Sequence, residues 1–577
     1  MARNALVFVL LITAADASGQ PIDPWVHSGT VCADGVTLNM HELRKTLTEQ
    51  AALIRSVAEL TGVSGESRTS RGGGTGLARL VECNGLFGYD NIQAAIDESE
   101  DGDVVVVFPN TCNPEGRWFE NLYLYNKKIR LQSTNPSDAS LVETTVIDGT
   151  APPEQPERSV ISCYSIKGDT VIQGLTLTNG TGVHLNNTRG GGLYCYNASP
   201  SIWDCRIINN RARRGGGVFH LGGGTFTDGA GEIRNCLFRD NVATTYGGAI
   251  YSESTTSSGA SGILITDCRV ENNNAGSGGA IYLYAGGDNV TNTPVISSCR
   301  FAGNSAGESV VLVHGIGGNA SALATFRSCA FEGNKFWHSL IFAESSQNES
   351  SSIVNLESCT VVNNVSTFAY LIAARTVSSS NYSDVKIRNS IVWSNSILSN
   401  RTEAATFGSG ARIHIDYSNF EREGIVPFGN EDIIWGEGNF SITPGFVDPG
   451  GIDDGGTPND LADDVYIPGD YHLLPSSPCI DAGAPDYETF EGDLDIDSDA
   501  RVMNCRIDVG ADEFNPAVNP IGDYDGDGQV DSDDLSSFIT ALLNPQECNL
   551  GRGDTNEDGA VNSLDVQGFV EALLADG

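Results

Sequence analysis

The chain has 577 residues and a formal net charge of −41, too long for one compact core and too acidic for a partner that is itself a polyanion. Nucleic acid and anionic membrane surfaces are excluded on that ground. Sixty-seven glycines, many in pairs or triplets, point to a turn-rich β architecture.

Residues 1–17 read as a secretory signal peptide. Arg3 supplies the positive end, Ala5 to Ala14 the apolar stretch, and Ala15-Asp16-Ala17 a small-x-small cleavage site. The stretch is too short to span a bilayer, and no later segment reaches about 18 apolar residues. The expectation is therefore a secreted protein, extracellular or at the cell surface, with no transmembrane segment after cleavage; the competing reading is an uncleaved anchor. Residues 18–80 hold an amphipathic helix over 38–60, with Met40, Leu43, Leu47, Ile54 and Val57 on one stripe that Gln50 interrupts. It either forms a short coiled coil or packs on the body of the protein. A Gly/Ser-rich linker follows over 64–76. Residues 91–108 then read as a short amphipathic helix, an Asp-Gly-Asp turn and a buried strand.

A repeat of about 31 residues dominates the middle of the chain. Cys205, Cys236, Cys268, Cys299, Cys329 and Cys359 open the phrases CRIINN, CLFRDN, CRVENN, CRFAGN, CAFEGN and CTVVNN, and Ser390 takes the slot in SIVWSN. Two residues on stands a bulky apolar side chain (Ile207, Phe238, Val270, Phe301, Phe331, Val361, Val392). Five residues on stands asparagine: Asn210, Asn241, Asn273, Asn304, Asn334, Asn364 and Asn395. Glycine pairs precede a second apolar strand: GGLY at 191, GGVF at 216, GGAI at 247 and GGAI at 278. Seven copies in phase predict a solenoid, one coil per repeat. Alternation along a strand turns the cysteine and the apolar residue inward together, and coils about 4.8 Å apart place like residues over like. Asparagine fits a turn that needs left-handed backbone, and its amide reaches the same amide one coil along.

These phrases resemble the pectate-lyase-like superfamily, especially the repeats of polymorphic outer-membrane proteins, with their GGAI and FxxN wording. The resemblance implies a mainly β fold, a right-handed parallel β-helix over 81–445 whose N-terminal end is plugged by the helix near 91. It also implies a closing segment over 446–515, carried by PGFVDPGG, DYHLLPSSPCIDAG and RIDVGADEF. The intervening Asp493–Asp499 run departs from the DLDG-x-x-R wording of that segment; it is read as a solvated acidic loop, the alternative being a further calcium site. The cysteine column reads as buried thiols or, alternatively, as disulfides between coils. Cys83 with Cys112 and Cys479 with Cys505 lie outside the column and are better disulfide candidates.

The last module, residues 516–577, carries two loops in register: DYDGDGQVDSDD from Asp523 and DTNEDGAVNSLD from Asp554. Oxygen ligands fall at positions 1, 3, 5, 7, 9 and 12. They are Asp523, Asp525, Asp527, Gln529 (carbonyl), Asp531 and Asp534, then Asp554, Asn556, Asp558, Ala560 (carbonyl), Asn562 and Asp565. Thirteen acidic residues against one arginine beyond residue 515 predict that the module needs Ca2+ to fold. Paired loops with aspartate at position 12 and one exiting helix each resemble a type I dockerin. That resemblance implies a small α-helical domain, two bound Ca2+ ions and a cohesin-domain partner. The resemblance implies docking through helix faces and positions 10 and 11, here Ser532-Asp533 in one copy and Ser563-Leu564 in the other, so symmetric docking is not expected.

Function in the solenoid is less marked. Outward positions on the cysteine strand carry Asp204, Arg206, Arg239, Asp267, Arg269 and Glu271, with Asn235 and Arg300 beside them. The resemblance implies polysaccharide lyase or hydrolase chemistry from such groups, but no catalytic motif of the family is present. Cross-coil ion pairing explains the same residues. His220, Tyr251 and Tyr282, three residues after the second glycine of their pairs, form with Tyr284 an expected outward aromatic row that would either stack on sugar rings or simply join coils. His184, His314 and His338 share no metal-ligand spacing. Two readings follow: a modular protein that binds or cleaves polysaccharide and is delivered by its dockerin, or a non-catalytic surface or matrix protein using the solenoid as a rigid adhesive scaffold.

Overall fold

The computed structural model describes residues 30–33 and 36–39, most of 76–515 apart from short gaps such as 422–431 and 454–464, and parts of 522–576. Thr30–Ala33 and Val36–Asn39 form an antiparallel pair. The predicted helix therefore cannot begin before Met40, and its remainder lies outside the described residues, as does the signal peptide.

From Ala78 the chain winds into a parallel β-solenoid. Each full coil visits four sheets in turn. The coil that begins at Glu232 shows the order: Glu232–Arg234 in the first sheet, Leu237–Arg239 in the second, Val242–Tyr246 in the third and Ile250–Thr255 in the fourth. The next strand of the first sheet, Leu264–Thr266, pairs in register with Glu232–Arg234. The second sheet stacks eleven strands and the fourth ten, every neighbour being one coil away. The N-terminal helix, α1 (Ile92–Glu98), caps this stack as expected. Asn91 Oδ1 accepts from the Ala94 N–H at 2.7 Å, and Ile92, Ala95 and Ile96 are buried against the first coils. The Asp-Gly-Asp turn and the strand Val104–Val107 follow.

The asparagine column forms the predicted ladder. Asn241 Nδ2 donates to Asn273 Oδ1 at 2.9 Å and to the Ile207 carbonyl at 2.8 Å, while the Asn241 backbone N–H also ends on Asn273 Oδ1 at 3.0 Å. The same set recurs from Asn210 to Asn395. Each amide thus satisfies a buried N–H that a turning strand would leave bare and adds a donor to a buried carbonyl. One detail is corrected. The left-handed residue is not the asparagine but the one before it, as in Asn209 (φ 55°), Asp240 (φ 57°), Asn272 (φ 53°) and Gly303 (φ 63°). The sharp bend comes first, and the ladder residue keeps an ordinary backbone with its amide turned inward.

The cysteine column is buried and free in every described member. The Cys236 N–H points to Cys268 Sγ at 3.4 Å and the Cys268 N–H to Cys299 Sγ at 3.3 Å. Burial pushes these thiols well above their ordinary pKa, which leaves them unreactive fillers. Cys83 and Cys112 are disulfide-bonded. Cys479 is a free thiol that takes a hydrogen bond from Asn419 Nδ2 at 3.3 Å, and Cys505 lies outside the described residues.

Residues 446–515 do not simply continue the coil. Phe446–Asp448 pairs antiparallel with Asp470–Leu473, and Gly451–Asp453 with Val465–Ile467. The segment runs back along the outer face of the second sheet. There Phe446, Leu473, Cys479 and Val509 pack on Val362 and Ile391. Solenoid polar groups fix it: Thr360 Oγ1 accepts from the Ala511 N–H at 2.9 Å, Asn389 Oδ1 from the Ala484 N–H at 2.7 Å, and Asn363 Nδ2 donates to the Pro449 carbonyl at 2.7 Å. Arg501, wholly buried, gathers the carbonyls of Asp508, Gly510 and Ala511 within 3.3 Å.

Removing one ladder amide strands several buried groups at once. Asn304→Ala leaves the Asn273 N–H without a partner and takes a donor from the Val270 carbonyl, at about 1–3 kcal/mol each. Chemical denaturation followed by circular dichroism should therefore show a loss of about 3 kcal/mol or more. Ser305→Ala, next to it and half-buried, should cost under about 0.5 kcal/mol. Equal effects would remove the ladder from the account of stability.

Candidate functional site

The fold-back turns the flat outer face of the second sheet into the floor of a cleft. Parallel register places Arg206, Leu237, Arg269 and Arg300 in one column, and Ile208, Arg239, Glu271 and Ala302 in the next. Asp204 and Asp267 stand at the left-handed corners that precede these strands (φ 54° each). The structure gathers Asp267, Arg269 and Glu271 with Arg300 under the closing segment. Asp204, Arg206 and Arg239 sit on earlier coils and do not line the cleft.

The cleft has two adjoining parts that share Arg269 and Arg300. One, of about 540 Å³, has Asp267, Arg269 and Arg300 below and Asp470, Tyr471, His472, Asp497 and Asp512 above. The other, of about 690 Å³, lies between Glu271 or Lys335 and Tyr466. Its charges are largely matched in pairs. Arg269 Nε donates to Glu271 at 2.8 Å, and Arg300 bonds the fully buried Glu332, which Tyr466 also contacts through its hydroxyl. Outside the cleft, Arg206 lies 3.2 Å from Glu143, Arg239 lies 3.5 Å from Asp240, and Asp204 accepts from Gln173 and Asn235. Half-burial raises the Asp267 carboxyl above its ordinary value.

The acidic run Asp493–Asp499 is not merely a solvated loop. Asp495 is fully buried and accepts from the N–H groups of Asp497, Asp499 and Glu513 between 2.8 and 3.1 Å, so one carboxylate shapes the loop. Asp497 is left exposed, beside His472.

The aromatic row requires correction. Tyr251 and Tyr282 do share the outward face of the fourth sheet, but only 2% and 4% of their surface is exposed. Tyr246 and the Arg214 guanidinium, 5.8 Å from the Tyr251 ring centre, cover them. His220 is not in the row. Pairing sets Phe219 opposite Tyr251 and His220 opposite Ser252, inside the coil, where His220 Nε2 meets Ser199 Oγ at 2.7 Å. The triplet Gly215-Gly216-Gly217 caused the slip: its first glycine, not its second, matches Gly247, both at left-handed φ. Tyr284 remains half-buried. It belongs to a row the spacing did not single out, Glu253, Tyr284, His314, Glu344 and Arg375. In that row Tyr282 and Ser346 hold the two nitrogens of His314 at 2.9 Å each, and Arg375 pairs with Glu344 at 2.8 Å. Tyrosines that are exposed lie on earlier coils of the same sheet: Tyr123, Tyr125 and Tyr196.

At the C-terminus, Asp523, Asp525, Asp527, Gln529, Asp554, Asp558 and Ala560 lie outside the described residues. The remaining ligand positions show an internal duplication. Asp534 Oδ2 accepts from the Asp531 N–H at 2.8 Å, and Asp565 Oδ2 from the Asn562 N–H at 2.8 Å. Both aspartates are buried, and the Asn556 N–H also points to Asp565. Oxygen-rich loops pinned this way suit a hard cation such as Ca2+. The rings of Phe538 and Phe569, equivalent in the two copies, stack 4.0 Å apart, with Val530 beside them. Leu535 with Ile539 and Val566 with Val570, equivalent again, stay exposed, as does Leu564.

No helix among the described residues is long and apolar enough to cross a membrane. No curated protein matches the chain. The repeat model of the Chlamydia polymorphic membrane protein matches residues 235–253, and the type I dockerin domain model matches residues 521–574. Type I dockerins bind calcium, take cohesins as partners and occur in extracellular proteins. The chain thus joins a parallel β-solenoid, with a repeat of the polymorphic membrane protein kind, to a C-terminal type I dockerin domain.

Proposed function

We propose that this is an exported protein whose dockerin, loaded with two Ca2+ ions, moors the solenoid to a cohesin-bearing partner, and whose solenoid binds an acidic polysaccharide in the cleft under the closing segment. The dockerin match over 521–574, with its duplicated, exposed apolar helix positions, carries the docking half. For the second half, the support is a cleft of polysaccharide-compatible size with Arg269, 63% exposed at its side chain, on the floor. Arginine is suited to carboxylates by its planar fork of donors. A catalytic role is not part of the proposal.

A second reading has its own support. Four of the six charges predicted for a catalytic patch are matched by a neighbouring charge: Arg206 by Glu143, Arg239 by Asp240, and Arg269 and Glu271 by each other. Such pairing is what a rigid spacer or adhesive scaffold would need and no more.

Calcium should protect the dockerin from limited proteolysis in the full chain, and Asp523→Ala combined with Asp554→Ala should abolish the protection. An unmutated chain whose cleavage pattern and circular dichroism ignore calcium would count against the docking half. Leu564, 67% exposed at position 11 of the second loop, gives that copy the more apolar face. Leu564→Asp should weaken cohesin binding at least about tenfold, whereas Asp533→Ala should change it little. For the solenoid, retention on immobilised polyuronates and neutral glycans should show salt-sensitive binding to the former, reduced several-fold by Arg269→Ala at constant fold. No retention on any glycan, with no unsaturated products and no new reducing ends, would favour the scaffold.

A further inference from the structure

The roof of the 540 Å³ part of the cleft brings together side chains from three separate parts of the closing segment: His472 from the strand Asp470–Leu473, Asp497 from the acidic loop, and Asp512 from the tail that Arg501 pins. One ligand-type atom from each lies within 4.8 Å of the other two. More than proximity is involved. His472 Nδ1 is hydrogen-bonded to Asp470, in the manner of the outer carboxylates that fix metal-bound histidines and aim their other nitrogen. That other nitrogen, Nε2, lies 2.9 Å from Asp497 Oδ2. Both ring nitrogens therefore face carboxylates, and a metal ion at Nε2 would take the place of the proton there.

Asp512 supplies an independent sign. It is more than nine-tenths buried, yet only Oδ2 is used, accepting from the Leu473 N–H at 3.0 Å. Its second oxygen has no hydrogen-bond partner among the described residues, in a residue that lines the cavity. A carboxylate oxygen left unpaired at a cavity wall is open to a cation that enters the cavity. Asp495, also buried, adds negative charge close behind.

We propose that His472, Asp497 and Asp512 form a binding site for a divalent transition-metal ion of the Zn2+ class, oriented by Asp470. One imidazole nitrogen and two carboxylate oxygens match such an ion better than calcium, which takes oxygen ligands throughout. Three protein ligands leave a coordination position for a ligand from the cavity, whose floor carries Arg269 and Arg300. The ion also ties strand, loop and tail into one unit. None of this depends on the dockerin or on the polysaccharide reading.

The test is calorimetric titration of the full chain with Zn2+ in excess calcium, so that the dockerin loops are filled with their own ion. The wild type should bind one equivalent more than His472→Ala, and Asp470→Asn should weaken that equivalent by about 10–100-fold. Because His472 and Asp497 are exposed, His472→Ala and Asp497→Asn should both keep the circular dichroism of the wild type; either alone suffices if the other fails to fold. Zn2+ should also slow proteolysis within 465–512 in the wild type and in neither variant. Equal Zn2+ equivalents in the wild type and a folded variant would overturn the site. So would a wild type that binds none, which leaves His472 as an imidazolium held by aspartates.

Discussion

A parallel solenoid adds one coil for every strand spacing, about 4.8 Å. The whole molecule answers to that rise. Any side chain that turns inward meets its counterpart from the next coil, so each interior column has to be content with copies of itself. Apolar residues satisfy this by contact, as the parallel rings of Phe301 and Phe331 do at 4.7 Å. Asparagine satisfies it by having a donor and an acceptor on one planar group, which lets each amide serve as both ends of a chain of hydrogen bonds. Cysteine satisfies it by being small and weakly polar. Serine enters the cysteine column at Ser390 and again one coil on at Ser418, whose hydroxyls accept from the Cys359 and Ser390 N–H groups at 3.0 and 3.2 Å.

The same rise is a liability on the outside. A column of arginines such as Arg269 and Arg300 would be a stack of like charges at strand spacing. Acidic neighbours relieve it in the adjoining column, and the closing segment brings Asp470, Asp497 and Asp512 over the top. The fold-back thus has an electrostatic as well as an apolar basis: Phe446, Leu473 and Val509 seat it where the column is uncharged, at Val362 and Ile391.

The repeat made the coil, the inward cysteines, the asparagine ladder and the helical cap legible, because each is dictated by a local pattern copied seven times. Errors arose where the pattern was ambiguous or absent. Three consecutive glycines at 215–217 admit two registers, and only the pairing of Phe219 with Tyr251 decides between them. Outward alternation of Tyr251 and Tyr282 was correctly inferred, but alternation says nothing about what covers an outward face, and here Arg214 and Tyr246 do. The cleft itself was half legible. Asp267, Arg269 and Glu271 stand out in the repeat, whereas His472, Asp497 and Asp512 belong to a segment that occurs once and has no period to betray its partners. Duplication again helped in the dockerin, where Asp534 and Asp565 make the same bond 31 residues apart.

The closing segment also sets where the tether to the dockerin starts. Asn515, the last described residue before the dockerin, sits next to Asp499, within hydrogen-bond reach at 3.4 Å. The chain therefore leaves the rod from its flank and not from its tip. A rod gripped at its end trails like a flag, whereas one tethered along its side is held more like a beam on a bracket.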